Sequence, residues 1–245
     1  MTTGSRRFFF VHLQKTGGTA LFQRLREAFG PDAVYPTPDD EPGARPVIDA
    51  AYLAERLRTH GDGLQVITGH FPLCLVEVLG EPFTTFTVLR DPVERTLSLL
   101  RRRKAAEARY QDLELDEIYD DPALLDIIRN HMVKMLSLRP DEMTDAPLTA
   151  PVDFDDERLV RAQHNLAHGV DLFGLQEQFE EFCTELSGLL GRPLGAARFA
   201  NRTQPRPVSE ELRARIAADN HLDVELYGFA QRLYRERRER APSRG

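Results

Sequence analysis

The feature that most constrains this chain is the order of elements at its start. Residues 7–13 are a short apolar and aromatic run, and residues 14–19 hold two adjacent glycines. In residues 20–29, Leu21, Leu25 and Phe29 recur every four positions, with Phe22 widening that side. The apolar run reads as a buried strand, and the four-residue spacing reads as a helix that Gly30-Pro31 stops. Strand, glycine-containing loop and helix together open a parallel α/β domain.

The rest of the chain continues the alternation. Residues 31–46, rich in Pro, Asp and Gly, read as a surface loop, and residues 50–58 as a helix. Residues 64–68 and 84–89 read as further strands. Asp91, Pro92 and Glu94 carry a helix-start pattern, and that helix is expected to reach about residue 108. Residues 109–151 are acidic and irregular, with one helical stretch over 122–138. Helices are expected over 159–167, 178–190 and 209–238, the last capped by Ser209. A strand is expected over 171–175, and residues 201–207 read as a Pro-containing loop. No internal repeat is present. The pattern predicts one three-layer α/β/α domain over residues 1–245, with a central parallel sheet.

Composition narrows the function. The 245 residues are 41% hydrophobic, enough to bury a core, and 29% charged with a formal net charge of -7. A general nucleic-acid binder carries a basic excess, which this chain lacks, so no nucleic-acid partner is expected. Any anionic ligand must be held by a local group of cations. Cys74 and Cys183 have no metal-ligand spacing and read as reduced, packed thiols. No stretch approaches the ~20 apolar residues of a membrane span. The apolar run after Arg6-Arg7 is too short for a signal peptide, so a soluble, cytoplasmic protein is expected. Oligomeric state stays open.

Two segments read as phosphate sites. In Gln14-Lys15-Thr16-Gly17-Gly18-Thr19 the glycines let backbone wrap an anion, and the following helix start turns free N–H groups toward it. Lys15 adds a point charge; Thr16 and Thr19 add hydroxyls. The lysine precedes the glycines, so this is not the G-x-x-x-x-G-K-[ST] loop. The bland alternative is a plain strand-to-helix turn. The second segment pairs Arg90, at a strand's carboxyl end, with Ser98 on the next helix. A guanidinium fork there faces the crevice in which open α/β sheets bind ligands. Its alternative is a structural ion pair of Arg90 with Asp91 or Glu94. Two separated anion sites describe a ligand with two phosphates.

These residues resemble a known family. Val11-His12-Leu13-Gln14-Lys15-Thr16-Gly17-Gly18-Thr19 resembles the 5'-phosphosulfate loop of the carbohydrate sulfotransferases, especially the heparan sulfate 2-O- and 6-O-sulfotransferase-like group and its bacterial relatives. Leu89-Arg90-Asp91-Pro92-Val93-Glu94-Arg95-Thr96-Leu97-Ser98 resembles its 3'-phosphate motif. Thr68-Gly69-His70-Phe71-Pro72 is similar to the segment of the family's catalytic histidine. Weaker similarities follow at residues 130–136, 173–179 and 201–203. Residues 109–151 match nothing in the family and suggest an acceptor-side insertion.

The resemblance implies a P-loop-like sulfotransferase fold and transfer of a sulfuryl group from 3'-phosphoadenosine 5'-phosphosulfate to a hydroxyl of a glycan or small molecule. Adenosine 3',5'-bisphosphate would be the product. Lys15, Thr16, Gly17, Gly18 and Thr19 would bind the 5'-phosphosulfate, with Lys15 also steadying the bridging oxygen. Arg90 and Ser98 would hold the 3'-phosphate, and Arg202 and Thr203 would close over the nucleotide. His70 is the chosen base, since imidazole suits proton removal near neutral pH. His12 is second in line, better read as supporting the loop, and His131 is a possible neighbour of the acceptor. No metal is expected. The run Arg101-Arg102-Arg103-Lys104 reads as a solvated helix end, with contact to an acidic acceptor as its sharper alternative. A P-loop-type nucleotide kinase and a catalytically silent nucleotide-binding protein are the competing readings.

Overall fold

A computed structural model describes residues 6–40, 45–144, 147–196 and 207–240. Its strands are β1 (Arg7–Val11), β2 (Val34–Tyr35), β3 (Val66–Gly69), β4 (Phe83–Leu89) and β5 (Leu172–Leu175). They form one parallel sheet in the order β2-β3-β1-β4-β5. Phe10, for example, pairs with Thr68 on one side and Phe86 on the other. The chain is therefore α/β with a single parallel sheet, as its alternation implies. β1 lies at the centre, which explains why it is apolar on both faces.

Period-two alternation along β1 sends its side chains to two cores. Phe8 and Phe10 join Val66, Phe86 and Val88 beneath α1 (Gly18–Phe29). Phe9 and Val11 face the opposite side, with Ile67, Leu89 and Phe173. Against the first face also lies α10 (Phe179–Leu190), through Phe182, Leu186 and Leu190. The second face is covered by α3 (Ala50–His60), α8 (His131–Ser137), α9 (Asp156–His164) and α12 (His221–Arg240). A third apolar cluster joins α5 (Pro92–Ala106), α6 (Leu115–Tyr119), α7 (Pro122–Ile128) and α11 (Glu210–Asp219). Two short helices, α2 (Arg45–Ile48) and α4 (Leu75–Leu79), complete the α-helices among the described residues. Among the described residues no helix is long and apolar enough to cross a membrane.

The structure departs from the sequence reading at several places, among them the unexpected short helices α4 and α6. The expected loop over 31–46 contains β2, a two-residue edge strand too short to show alternation. The expected helix over 122–138 is two helices, because Asn130 adopts a left-handed φ of 42° and starts α8. The expected helix over 209–238 breaks at Asn220 into α11 and α12. The last two breaks are one event. The Asn130 amide donates to Asn220 Oδ1 at 3.0 Å, and the Asp223 amide donates to Asn130 Oδ1 at 3.2 Å. Asp223 then accepts from the Met132 and Val133 amides at 3.1 and 2.8 Å, satisfying the start of α8. Asparagine tolerates the left-handed region because its short polar side chain bonds locally.

Phe10 is fully buried, its ring stacked 5.2 Å from Phe86 and 5.1 Å from His12. Phe10→Ala removes a central side chain that the rigid sheet cannot collapse around. Its expected cost is about 3–5 kcal/mol, to be read as a lower denaturant midpoint with unchanged slope.

Candidate active site

One cleft of about 1030 Å³ opens at the carboxyl end of the sheet. It is lined by the segments that follow β1, β3, β4 and β5: His12 to Ala20, His70, Arg90 with one side of α5, and Gln176 to Glu181. Open parallel sheets bind ligands at this edge. Of the residues singled out from sequence, Lys15, Gly17, Gly18, Thr19, His70, Arg90 and Ser98 all line it. Thr16 does not: it is buried, and its hydroxyl donates to the Leu13 carbonyl at 2.8 Å, closing the loop. Arg202 and Thr203 lie outside the described residues.

The start of α1 is built to meet an anion. Its N-cap is Gly17, left-handed at φ 95°, with no side-chain cap and no acidic residue in the first turn. Its first backbone bonds run from the Ala20 and Leu21 amides to the Gly17 carbonyl. The amides of Gly17, Gly18 and Thr19 thus keep the free donors and the positive dipole end of a helix start. The start of α5 differs. Asp91 accepts from the Glu94 amide at 3.0 Å, and Glu94 pairs with Arg213 at 2.5 Å. With both carboxylates so used, Arg90 turns elsewhere. Gly18 has its own reason: a Cβ there would lie 1.8 Å from His12 Nε2, so only glycine fits beneath that ring.

Arg90 joins the two anion sites. Its Nη1 donates to the Lys15 carbonyl at 3.0 Å, so lysine loop and guanidinium share one wall. Its Nε has no hydrogen-bond partner among the described residues, which leaves donor capacity on the fork. Burial lowers the Lys15 pKa, and the charges of Arg102 and then Arg90 lower it further. Cations gathered at one cleft favour an anion there, and the nearby Glu94, Glu177 and Asp91 keep Arg90 charged. The orphaned Arg90 Nε, the free α1 amides and these cations form a set of donors suited to an anionic ligand.

His70 meets the chemistry of a base. Its Nδ1–H donates to the His12 carbonyl at 2.8 Å, which leaves Nε2 as the unprotonated nitrogen. Burial lowers its pKa, the carbonyl bond opposes, and Lys15 lowers it again. His70 therefore stays neutral where an ordinary histidine begins to charge. His12 directly follows β1 and lines the cleft with its ring 4.4 Å from that of His70. It is held well below the usual value by burial, then by His70 and Lys15. His131 is not beside the cleft. It is fully buried, and its Nε2 accepts from the Gln14 amide at 3.1 Å, so it supports the loop from behind.

Several contributors escaped the sequence reading. Arg102 and Arg103 line the cleft, so half of the basic run belongs to its wall. Arg102 lies four residues after Ser98, a spacing that puts both on one helix face and could have revealed it. Phe179 presses on the loop, 3.2 Å from where a Gly17 Cβ would stand. Nothing in the sequence announces that contact. Residues 109–151 contribute no lining residue among those described; they supply His131 instead. Neither thiol is reactive by its setting: burial pushes Cys74 up to about 12 and Cys183 up to about 11.

No protein-family model matches the chain, and no curated protein matches it.

The lowered imidazoles make stability pH-dependent. His12, His70 and His131 each resist protonation when folded, whereas the unfolded chain takes up protons near the ordinary value of about 6.5. Their contribution is complete above that pH and lost below it. Asp223 opposes, because burial pushes its carboxyl up to about 6 and the folded chain gains that proton first. Three groups outweigh one. The denaturant midpoint is expected to be lower at pH 5.5 than at pH 7.5, and an equal or higher midpoint contradicts the neutral imidazoles.

Proposed function

We propose that the protein is a sulfotransferase, moving a sulfuryl group from 3'-phosphoadenosine 5'-phosphosulfate to a hydroxyl of a carbohydrate or small molecule. One observation carries the reading: the Lys15 loop, Arg90 with Ser98, and the acceptor nitrogen-bearing His70 open on a single cleft. The parallel sheet with its loop after β1 supports a P-loop-like sulfotransferase fold, by the resemblance of residues 11–19 and 89–98. The cleft volume suits a nucleotide with room for an acceptor.

In this reading the amides of Gly17, Gly18 and Thr19 hold the 5'-phosphosulfate, with Lys15 beside its bridging oxygen. Arg90 and Ser98 hold the 3'-phosphate. The acceptor oxygen attacks sulfur while the bond from sulfur to the bridging oxygen breaks. His70 Nε2 takes the hydroxyl proton, and adenosine 3',5'-bisphosphate leaves with the negative charge that Lys15 and the α1 dipole stabilise. Partial burial of Lys15, which lowers its pKa, also reduces the screening of its charge by water.

Binding tests the donor half. Calorimetry is expected to show adenosine 3',5'-bisphosphate bound at least about tenfold more tightly than ADP, with Arg90→Ala losing about 2 kcal/mol of that binding. Preference for ADP, or magnesium-dependent ATP turnover, moves the protein to the nucleotide kinases.

Turnover tests the base. With labelled donor and an acceptor panel, His70→Ala should keep bisphosphate binding and lose about 10²–10⁴ in rate. The wild-type rate should hold level above about pH 6.5 and fall only further into acid, because the His70 pKa is lowered. Unchanged turnover in His70→Ala removes the assignment of the base. Bisphosphate binding with no transfer to any acceptor favours a silent nucleotide-binding protein.

A further inference from the structure

Lys15 is a non-glycine residue at φ 68°, a left-handed conformation that is strained for an L-residue. Such a conformation persists only where its surroundings fix it. Three hydrogen bonds bracket it. Arg90 Nη1 holds the Lys15 carbonyl, the Thr16 hydroxyl holds the Leu13 carbonyl, and His131 Nε2 holds the Gln14 amide. The first two come from a residue of the cleft and from the loop itself. The third comes from α8, across more than a hundred residues of sequence.

The imidazole of His131 is an expensive way to fill that position. Accepting from an amide requires Nε2 without a proton, so the proton sits on Nδ1. His131 Nδ1 is buried with no partner among the described residues, and a buried unpaired N–H is destabilising. A phenylalanine or leucine would fill the space without that cost. The ring is also aimed with care. Its residue begins α8, whose start is fixed by Asn220, Asp223 and the left-handed Asn130. Protonation would put a donor against the Gln14 N–H, and burial together with the Arg95 charge keeps the ring neutral.

We propose that His131 is a positioning residue for the phosphate loop: it latches the Gln14 amide and so keeps Lys15 in its left-handed conformation. The α11–α12 junction, through Asn220 and Asp223, sets the angle of the latch. The consequence for ligand binding rests on the reading of this loop as an anion site; the latch itself does not.

The experiment uses the full chain without ligand, labelled with ¹⁵N. Two-bond ¹H–¹⁵N spectra, assigned by comparison with His131→Gln, are expected to show His131 protonated on Nδ1 and bare on Nε2. Hydrogen exchange at the Gln14 amide is expected to quicken at least about tenfold in His131→Phe, which keeps the volume and loses the acceptor. His131→Gln, whose side-chain oxygen reaches a similar point, should restore most of the protection. Affinity for inorganic pyrophosphate and for adenosine 3',5'-bisphosphate should fall about tenfold in the phenylalanine variant and recover in the glutamine variant. A proton on Nε2, or Gln14 exchange and anion affinity unchanged in His131→Phe, overturns the proposal. Should wild type bind neither anion, the sulfuryl-transfer reading falls while tautomer and exchange still judge the latch. If His131→Phe does not fold, the wild-type tautomer and the glutamine variant decide.

Discussion

The left-handed backbone at Lys15 is the constraint on which the rest of the site depends. It turns the chain from the end of β1 into α1 within a few residues, so that the lysine and the free amides of a helix start line the same cleft. The strain is offset by bonds that arrive from three directions, and each supplier has further duties. Arg90 both clamps the Lys15 carbonyl and faces the cleft; the sheet holds Arg90 there because β4 pairs alongside β1. Glycine at 18 lets His12 lie over the loop, and His12 in turn offers its carbonyl to His70. Loop, second cation and candidate base are thus mechanically one object.

Electrostatics complete the picture. A chain with net charge -7 has no overall attraction for an anion, so attraction must be local. The structure meets this by contrast between two helix starts. α5 is neutralised by its own Asp91 and Glu94, while α1 is left without cap or acid. Lys15, Arg90 and Arg102 then gather near the uncapped start. On the far lip Glu180 is paired with Arg24 and Glu181 with Arg238, while Glu177 accepts from the Tyr227 hydroxyl. Burial holds the nearby imidazoles neutral, so none of them competes with the lysine for the role of charge carrier.

Much of the site could be read from the order of residues alone. Lys15, the glycine pair, His70 and Arg90 each follow a strand or open a helix, Ser98 lies about two turns into the helix after β4, and residues so placed in a parallel sheet converge on one edge. Arg102 was equally within reach, four residues beyond Ser98. Other parts left no trace. β2 is two residues of an edge strand, chosen by pairing with Val66 and Ile67 rather than by any pattern of its own. The breaks at Asn130 and Asn220 depend on each other across ninety residues, and neither asparagine differs in sequence from one in an ordinary helix end.

By itself, then, the sequence determined what local physics can express: periodicities, helix caps, and the polar residues that end buried strands. These suffice for a parallel α/β sheet and for many of the residues that line its cleft. Tertiary structure decided what depends on distant groups meeting. It made Thr16 a buried loop tie, turned His131 from the cleft to the loop's far side, and set which nitrogen of His70 is bare. Hydrogen-bond partners and burial fix a tautomer, a pKa and a strained φ, and these are properties of the folded surroundings that no residue carries alone.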